Sequence, residues 1–233
     1  LGADGATYRA LEFTGSAVKS MSIASRTTMA NMAIEAGAKC ALFTPDEKTE
    51  EYCEIQLDDF QKSLAGDPDA VYLKELHYKA EDFVPVMACP SQVDKIRNVS
   101  ELEGTVIDQV FIGSCTNGRL EDLQAAAEAL KGKSVAPYVK LIVTPASRKV
   151  YQEAADCGAI RTLVEAGAIV THPGCGLCCG RTGGILSDGE RVVATNNRNF
   201  LGRMGTSKVE IYLASPKTAA ACAVAGKIVM PEK

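Results

Sequence analysis

Hydrophobic positions in the first third of the chain follow a helical spacing and then a strand spacing. A helix is predicted from Ser22 to Ala36, where Gly37 can end it. The apolar stripe of this helix, at i, i+3, i+4 and i+7, consists of Met29, Met32, Ala33 and Ala36. A short strand is predicted from Lys39 to Phe43 and a second helix from Glu47 to Leu64, which the segment Gly66-Asp67-Pro68 breaks.

Apolar runs and helical segments alternate through the rest of the chain. The run from Val106 to Ile112 predicts a buried strand, and the next helix is expected to begin near Asn117. The apolar stripe of this helix lies within residues 120–130. Further strands are predicted at 139–143, 168–170, 192–194 and 209–213, and further helices near 147–156, 158–166 and 216–225. This alternation predicts an α/β fold in which helices cover a mainly parallel sheet.

Composition narrows the class of protein. Of the 233 residues, 46% are hydrophobic and 23% are charged, which is ordinary for a globular protein. The net charge of -4 offers no basic surface for nucleic acid. The N-terminal sequence has no basic segment followed by an apolar core, and no stretch reaches the roughly 18 apolar residues of a membrane span. We therefore expect a cytoplasmic protein that binds neither nucleic acid nor membrane.

The nine cysteines are odd in number and irregularly spaced. This favours reduced thiols, metal ligation or packing over a disulfide framework. Five of them stand singly in the sequence and are predicted to be small buried hydrophobes: Cys40, Cys53, Cys89, Cys157 and Cys222.

Cys115 lies in the segment FIGSCTNGRLEDL, directly after a predicted strand and before a helix. In a doubly wound sheet, ligands collect at such strand-to-helix turns. The positive end of the helix also favours the thiolate, which is the form that binds metal or attacks electrophiles. Cys115 is thus a candidate ligand or nucleophile, with a packing role as the alternative.

The segment HPGCGLCCG contains Cys175, Cys178 and Cys179. Its glycines allow the backbone to curl so that two thiols point at one centre. A C-x-x-C pair serves redox dithiols, zinc sites and iron–sulfur clusters alike. A closed zinc site needs four ligands, and the only histidines are His77 and His172, so a three-cysteine cluster with one open iron is the more useful arrangement.

Two further segments carry polar groups that could face a substrate. In NNRNFLGRMG, Arg198 and Arg203 could bind carboxylates bidentately, although a surface loop with salt bridges is the alternative. On the first predicted helix, Asn31 and Glu35 lie four residues apart and share one face, which could also simply be solvated.

Together these segments resemble the aconitase superfamily, and within it the large subunits of isopropylmalate isomerase and homoaconitase. FIGSCTNGR is similar to the family's first cysteine motif and PGCGLCCG to its paired-cysteine motif. The resemblance implies that Cys115, Cys175 and Cys178 hold a 4Fe-4S cluster. Cys179 departs from the family pattern, because an aliphatic residue usually stands there.

NNRNFLGR is similar to the family's substrate-binding loop. The resemblance implies that Arg198 and Arg203 contact substrate carboxylates and that Asn197 is a polar contact near the cluster. ANMAIEAGA is similar to a helix of the family's second domain, where Asn31 would contact the site and Glu35 would pair with a histidine of the first domain.

The resemblance also implies three-layer αβα domains, of which two of the expected three are present. Residues 1–88 would be part of the second domain and residues 89–233 the third. Because the first domain would precede Leu1, we expect an N-terminally truncated chain that is inactive alone and loses its cluster readily. A separate small subunit with a swivelling domain is the implied partner, and its serine would take the proton.

The implied activity is that of a 4Fe-4S hydro-lyase, which isomerises a hydroxy di- or tricarboxylic acid by dehydration and rehydration. Isopropylmalate is the first expected substrate, with homoaconitate, citrate and dimethylmalate as alternatives. Two other classes stay open: a cluster- or zinc-binding regulatory module without catalysis, and a thiol oxidoreductase that uses Cys175 and Cys178.

Overall fold

The computed structural model describes residues 1–232. They form two compact units, Leu1–Val84 and the part of the chain that begins at Pro85. Among these described residues, no helix combines the length and the apolar character that crossing a membrane requires.

The smaller unit contains a two-stranded parallel sheet of β1 (Ala10–Phe13) and β2 (Cys40–Phe43). The sheet is held partly by Phe13 and Phe43, whose rings stack with centroids 5.1 Å apart. The helices of this unit are α1 (Ser16–Ser20), α2 (Ile23–Ala33), α3 (Glu47–Cys53) and α4 (Asp59–Lys62). A 3-10 helix, Ile34–Ala36, extends α2, and Gly37 ends it with a φ of 82° as its sequence position predicts.

The single helix predicted from Glu47 to Leu64 is wrong, because α3 and α4 are separate. Glu54 adopts the left-handed conformation (φ 55°, ψ 41°) and ends α3. Asp58 then begins α4 by accepting a hydrogen bond from the backbone N–H of Gln61 at 2.7 Å. A side chain that caps a new helix here outweighs the helical spacing of the apolar residues.

The larger unit contains a seven-stranded sheet with the strand order β4-β3-β9-β8-β5-β6-β7. The bounds of its strands are β3 (Val86–Ala88), β4 (Ile96–Asn98), β5 (Gln109–Gly113), β6 (Lys140–Thr144), β7 (Ile169–Val170), β8 (Arg191–Ala194) and β9 (Glu210–Leu213). The five strands β9, β8, β5, β6 and β7 each run parallel to their neighbours in this group. In contrast, β3 is antiparallel to both β4 and β9. The predicted α/β fold with a mainly parallel sheet is confirmed.

The helices of the larger unit lie between strands along the chain, except the last helix, which follows the last strand. They are α5 (Val99–Leu102), α6 (Ser114–Asn117), α7 (Leu120–Leu130), α8 (Arg148–Asp156), α9 (Ala159–Glu165) and α10 (Pro216–Ala225). The strand predicted from Val106 to Ile112 begins three residues later, at Gln109. The preceding residues pair elsewhere, since Val106 bridges Lys227 and the Ile107 N–H donates to the Gly226 carbonyl at 3.1 Å.

The two faces of the sheet are covered differently. Val110 and Ile112 point to a face packed by α7, α9 and α10, where Leu123, Leu163 and Ala219 are fully buried. Phe111 points to the opposite face, where it joins an apolar cluster with Leu177, Leu186 and Met204. These last three come from the connections β7–β8 and β8–β9, so the segments that carry the second and third motifs are part of the core.

The isolated cysteines are less buried than predicted. Cys89 and Cys222 are buried, as expected, but Cys40, Cys53 and Cys157 are exposed. Cys40 opens β2, Cys53 ends α3, and Cys157 follows α8, and these element ends lie at the surface. Because a cysteine side chain is small, leaving it in solvent costs little hydrophobic stabilisation. All nine cysteines are free thiols.

Candidate metal centre

The three motif segments of the larger unit meet at one edge of its sheet. The turn with Cys115 follows β5, the paired-cysteine segment follows β7, and the loop with both arginines follows β8. In the sheet, β6 and β7 lie on one side of β5, whereas β8 and β9 lie on the other side of it. The carboxyl ends of the strands at such a reversal of strand order form the crevice in which α/β proteins bind ligands.

The turn after β5 is built by two unusual backbone conformations. Gly113 has a φ of 139°, and a Cβ there would overlap the carbonyl of Thr144. Ser114 has a φ of 77° although it is not glycine, and its side chain is fully buried. These two residues thus join β5 directly to α6 and leave Cys115 exposed near the start of that helix.

Thr195, the first residue after β8, holds this turn in place by hydrogen bonds. Its hydroxyl accepts a hydrogen bond from the Gly113 N–H at 2.9 Å and lies 3.3 Å from the Asn117 carbonyl. In return, the Asn117 side-chain amide donates to the Thr195 carbonyl at 2.7 Å. Neither residue was predicted to have a role in the site, although Asn117 stands inside the motif of Cys115.

The paired-cysteine segment rests on the end of β6. A Cβ at Gly176 would lie 2.9 Å from both Cβ and Cγ2 of Thr144, so only glycine permits this approach. The Thr144 hydroxyl is itself 2.6 Å from the Thr171 hydroxyl. The following residues form the 3-10 helix Gly176–Cys179, in which residues three apart share a face. Cys175, which caps it, and Cys178 therefore lie on one side.

Cys175 and Cys178 differ in exposure, and the four thiols of the edge influence one another. Cys175 is exposed, Cys178 is 6% exposed, and Cys179 is intermediate. Partial burial raises the pKa of the Cys175 thiol, and the neighbouring thiols of Cys115, Cys178 and Cys179 raise it further, while Arg203 opposes the change. A negative charge on a neighbouring thiol would thus disfavour ionisation of Cys175.

The loop after β8 is fixed by asparagines. Asn196 donates to the Arg198 carbonyl at 2.7 Å, and Asn199 donates to the Cys89 carbonyl at 2.8 Å and to the Ile211 carbonyl at 3.3 Å. Asn197 is also buried, with 8% exposure, whereas Arg198 is half-buried. The sequence pointed to Asn197 and the two arginines but not to the anchoring roles of Asn196 and Asn199.

Arg203 contacts one of these thiols directly. Its Nη2 donates to the sulfur of Cys178 at 3.5 Å. The approach requires Gly180, which has a φ of 63° and where a Cβ would lie 2.8 Å from the Arg203 carbonyl oxygen. The structure thereby brings together Cys178, Arg203 and the turn that carries Cys175.

Two predicted site residues belong to the other unit. Asn31 lies in α2 and is exposed, and Glu35 lies in the 3-10 helix that follows. The predicted continuous α-helix therefore changes its geometry between them. His172, the candidate zinc ligand, is exposed.

The candidate donors are three thiols, and thiolates are the usual ligands of an iron–sulfur cluster. Within residues 1–232, no three His, Cys, Asp or Glu side chains are grouped to bind one metal ion. In an iron–sulfur cluster each thiolate can bind a different iron, so the ligands surround a larger group. Two buried polar atoms near Cys115 and the arginines, Ser114 Oγ and Asn196 Oδ1, have no hydrogen-bond partner in the described part of the chain. Such atoms are commonly satisfied by a bound group or water.

Comparison with known proteins identifies the class. The aconitase family (aconitate hydratase) matches residues 1–105 and 92–226. The chain belongs to this family.

Individual relatives are similar over the whole chain. 3-Isopropylmalate dehydratase large subunit 2 of Archaeoglobus fulgidus is 51% identical over 234 residues, which are 100% of this chain and 56% of that protein. 3-Isopropylmalate dehydratase large subunit 1 of Thermotoga maritima is 52% identical over 237 residues, again 100% and 56%. A protein of Methanosarcina mazei named "Probable methanogen homoaconitase large subunit" is 51% identical over 232 residues, 100% and 59%. The chain spans about half the length of the curated relatives it matches.

Proposed function

We propose that this chain is the cluster-bearing part of a hydro-lyase large subunit that isomerises a hydroxy di- or tricarboxylic acid by dehydration and rehydration. The observation that carries the proposal is the convergence of Cys115, Cys175 and Cys178 on one sheet edge, with Arg203 donating to the buried thiol. Membership of the aconitase family supports the reaction class.

3-Isopropylmalate is the proposed substrate. The support comes from the names of relatives about 51% identical over the whole chain. Homoaconitate is the second candidate, because a similarly close relative has that name. Citrate and dimethylmalate stay open, since the same two-arginine loop could receive their carboxylates.

The three cysteines would hold a 4Fe-4S cluster as thiolates. When bound, such a cluster supplies a Lewis acid for the substrate hydroxyl and an adjacent carboxylate. The protein side of the site would come from three residues of the loop after β8. Arg198 and Arg203 would bind carboxylates through their planar N–H pairs, and Asn197 would add a polar contact.

The anchored loop makes this binding efficient. Asn196 and Asn199 hold its backbone before any substrate arrives, so the guanidinium groups need little reorganisation as charge develops. Asn31 would contact the site from the smaller unit, and Glu35 would pair with a histidine of a preceding domain. A serine of the small subunit would take the proton.

The domain assignment and the partner are part of the same proposal. Residues 1–88 would be part of the family's second domain and residues 89–233 its third. The relatives are named large subunits, which supports a small-subunit partner with the swivelling domain. The assembled enzyme would thus complete the site from outside this chain.

The test begins with anaerobic reconstitution of the chain with iron and sulfide. We expect cluster absorbance that is lost in C115S, C175S and C178S and retained in C179S, the matched control from the same 3-10 helix. A wild-type chain without cluster that forms a reversible Cys175–Cys178 disulfide would favour the thiol oxidoreductase instead. A cluster-bearing full-length subunit that, with its small subunit, hydrates no unsaturated diacid would favour the regulatory module.

A further inference from the structure

Arg203 makes a contact that a substrate-binding role does not require. Its Nη2 lies 3.5 Å from Cys178 Sγ, the least exposed of the three candidate ligands. Its Nε is buried and has no hydrogen-bond partner within residues 1–232. One arm of the guanidinium therefore faces sulfur, while another polar atom is left for a further acceptor.

The position of Arg203 is fixed by the chain on both sides of it. Its N–H donates to the Phe200 carbonyl at 3.0 Å, and the next residue, Met204, is fully buried against the sheet. The Met204 carbonyl accepts from the Leu186 N–H at 3.0 Å. Gly180 also packs closely against the carbonyl of Arg203. The guanidinium thus starts from a rigid backbone that lies beside the paired-cysteine segment.

Charge explains why an arginine stands here. Arg203 carries a permanent positive charge, and its Nη2 lies 3.5 Å from the sulfur that would ligate the cluster as a thiolate. A charge-assisted N–H···S bond stabilises a thiolate more strongly than a neutral hydrogen bond would. In iron–sulfur proteins, hydrogen bonds to the sulfurs also set the reduction potential.

We propose that Arg203 is a positioning residue for the cluster: its guanidinium holds the Cys178 sulfur toward the centre and offsets the thiolate charge, besides any contact with substrate. This inference rests on the proposed function. It adds to the role of Arg203 a contact with a ligand of the cluster, beyond the carboxylate binding that the proposed function gives to both arginines of the loop.

The experiment compares four anaerobically reconstituted chains: wild type, R203K, R203M and R198M. R198M is the matched control, since it removes the same charge from the same loop. Iron release to a coloured chelator is followed over time, and the cluster reduction potential is measured by titration. Circular dichroism melting checks that each variant is folded.

For R203M we expect iron release about tenfold faster than wild type, the scale of one lost charge-assisted hydrogen bond. Its reduction potential should become more negative, because removal of a nearby positive charge disfavours the added electron. The iron-release rate and the reduction potential of R203K should lie between those of wild type and R203M. Those of R198M should stay close to wild type. If R203M fails to fold, R203K and R198M are compared instead. The proposal then requires R203K to release iron faster than R198M.

Failure of the positioning role and failure of the proposed function give different results in this experiment. Wild-type iron release and potential in folded R203M, or an R198M variant affected equally, would overturn the positioning role and leave the proposed function standing. A wild-type chain that takes up no cluster at all would remove the proposed function itself.

Discussion

Replacing Gly176 by alanine should separate the paired-cysteine segment from the end of β6. The added methyl would lie 2.9 Å from Cβ and Cγ2 of Thr144 and overlap its hydroxyl, whereas carbon atoms normally approach to about 3.5–4.0 Å. Thr144 cannot easily turn away, since it is fully buried and its hydroxyl is 2.6 Å from that of Thr171.

Two costs combine in this variant. Alanine at a φ of 54° costs roughly 1–2 kcal/mol in a left-handed conformation. Overpacking of a well-filled interior typically costs about 1–3 kcal/mol. We therefore expect the free energy of unfolding, measured by urea titration, to fall by about 2–5 kcal/mol. Reconstituted chain should also bind less iron, because Cys175 and Cys178 flank the displaced residue.

The chain offers two matched controls for this prediction. Gly132 has a φ of 69°, close to that of Gly176, with no atom within 4 Å of an added methyl, so G132A isolates the conformational cost. Gly183 also has no atom within 4 Å and has no positive φ, so G183A should resemble wild type. The double variant T144A/G176A should recover part of the loss by removing the hydroxyl and Cγ2. A G176A chain as stable as G183A would refute the steric argument.

Two further predictions concern carboxylates with altered pKa values. Burial raises the pKa of Asp122 to about 6, so its stabilising contribution is complete below about pH 4 and is lost as the pH rises through 6. D122N should therefore raise the free energy of unfolding at pH 7.5 by about 1–3 kcal/mol and leave it unchanged near pH 4; an equal effect at both pH values would contradict this. In the smaller unit, the hydrogen bond from Arg26, 2.6 Å long, holds the pKa of Asp46 below its usual value. The stabilisation by Asp46 is thus present above about pH 4 and is lost as the pH falls through the lowered pKa. D46N should cost about 1–3 kcal/mol at pH 7, since Arg26 is only 5% exposed and would lose its charged partner; thermal melts of D46N and wild type that coincide at pH 7 would argue against it.

Much of the larger unit could be predicted because its signals are local. Runs of apolar residues between helical segments identify the parallel strands, and glycines beside the cysteines identify tight turns. β3 and β4 gave no such signal, because each is only three residues long and β4 is exposed throughout. The break between α3 and α4 depends on capping by Asp58, which competes with an otherwise regular helical spacing.

The contacts that build the site could not be predicted, since they join residues distant in sequence. Thr195 fastens a turn 82 residues earlier, and Arg203 reaches a thiol 25 residues earlier. No pattern in a single sequence links such positions. Side-chain hydrogen bonds of this kind become visible only when the strand order brings the ends of β5, β7 and β8 together.

The covering of one sheet face by the connections β7–β8 and β8–β9 has a consequence for how a group could enter the site. Leu177 and Cys178 pack with Phe111 and Met204 in one apolar cluster, so the inner wall of the site cannot open without exposing the core. Cys115 and Cys175, in contrast, face solvent. A group that binds these thiols in this chain would therefore enter from the side of Cys115 and Cys175 and would meet Cys178 last.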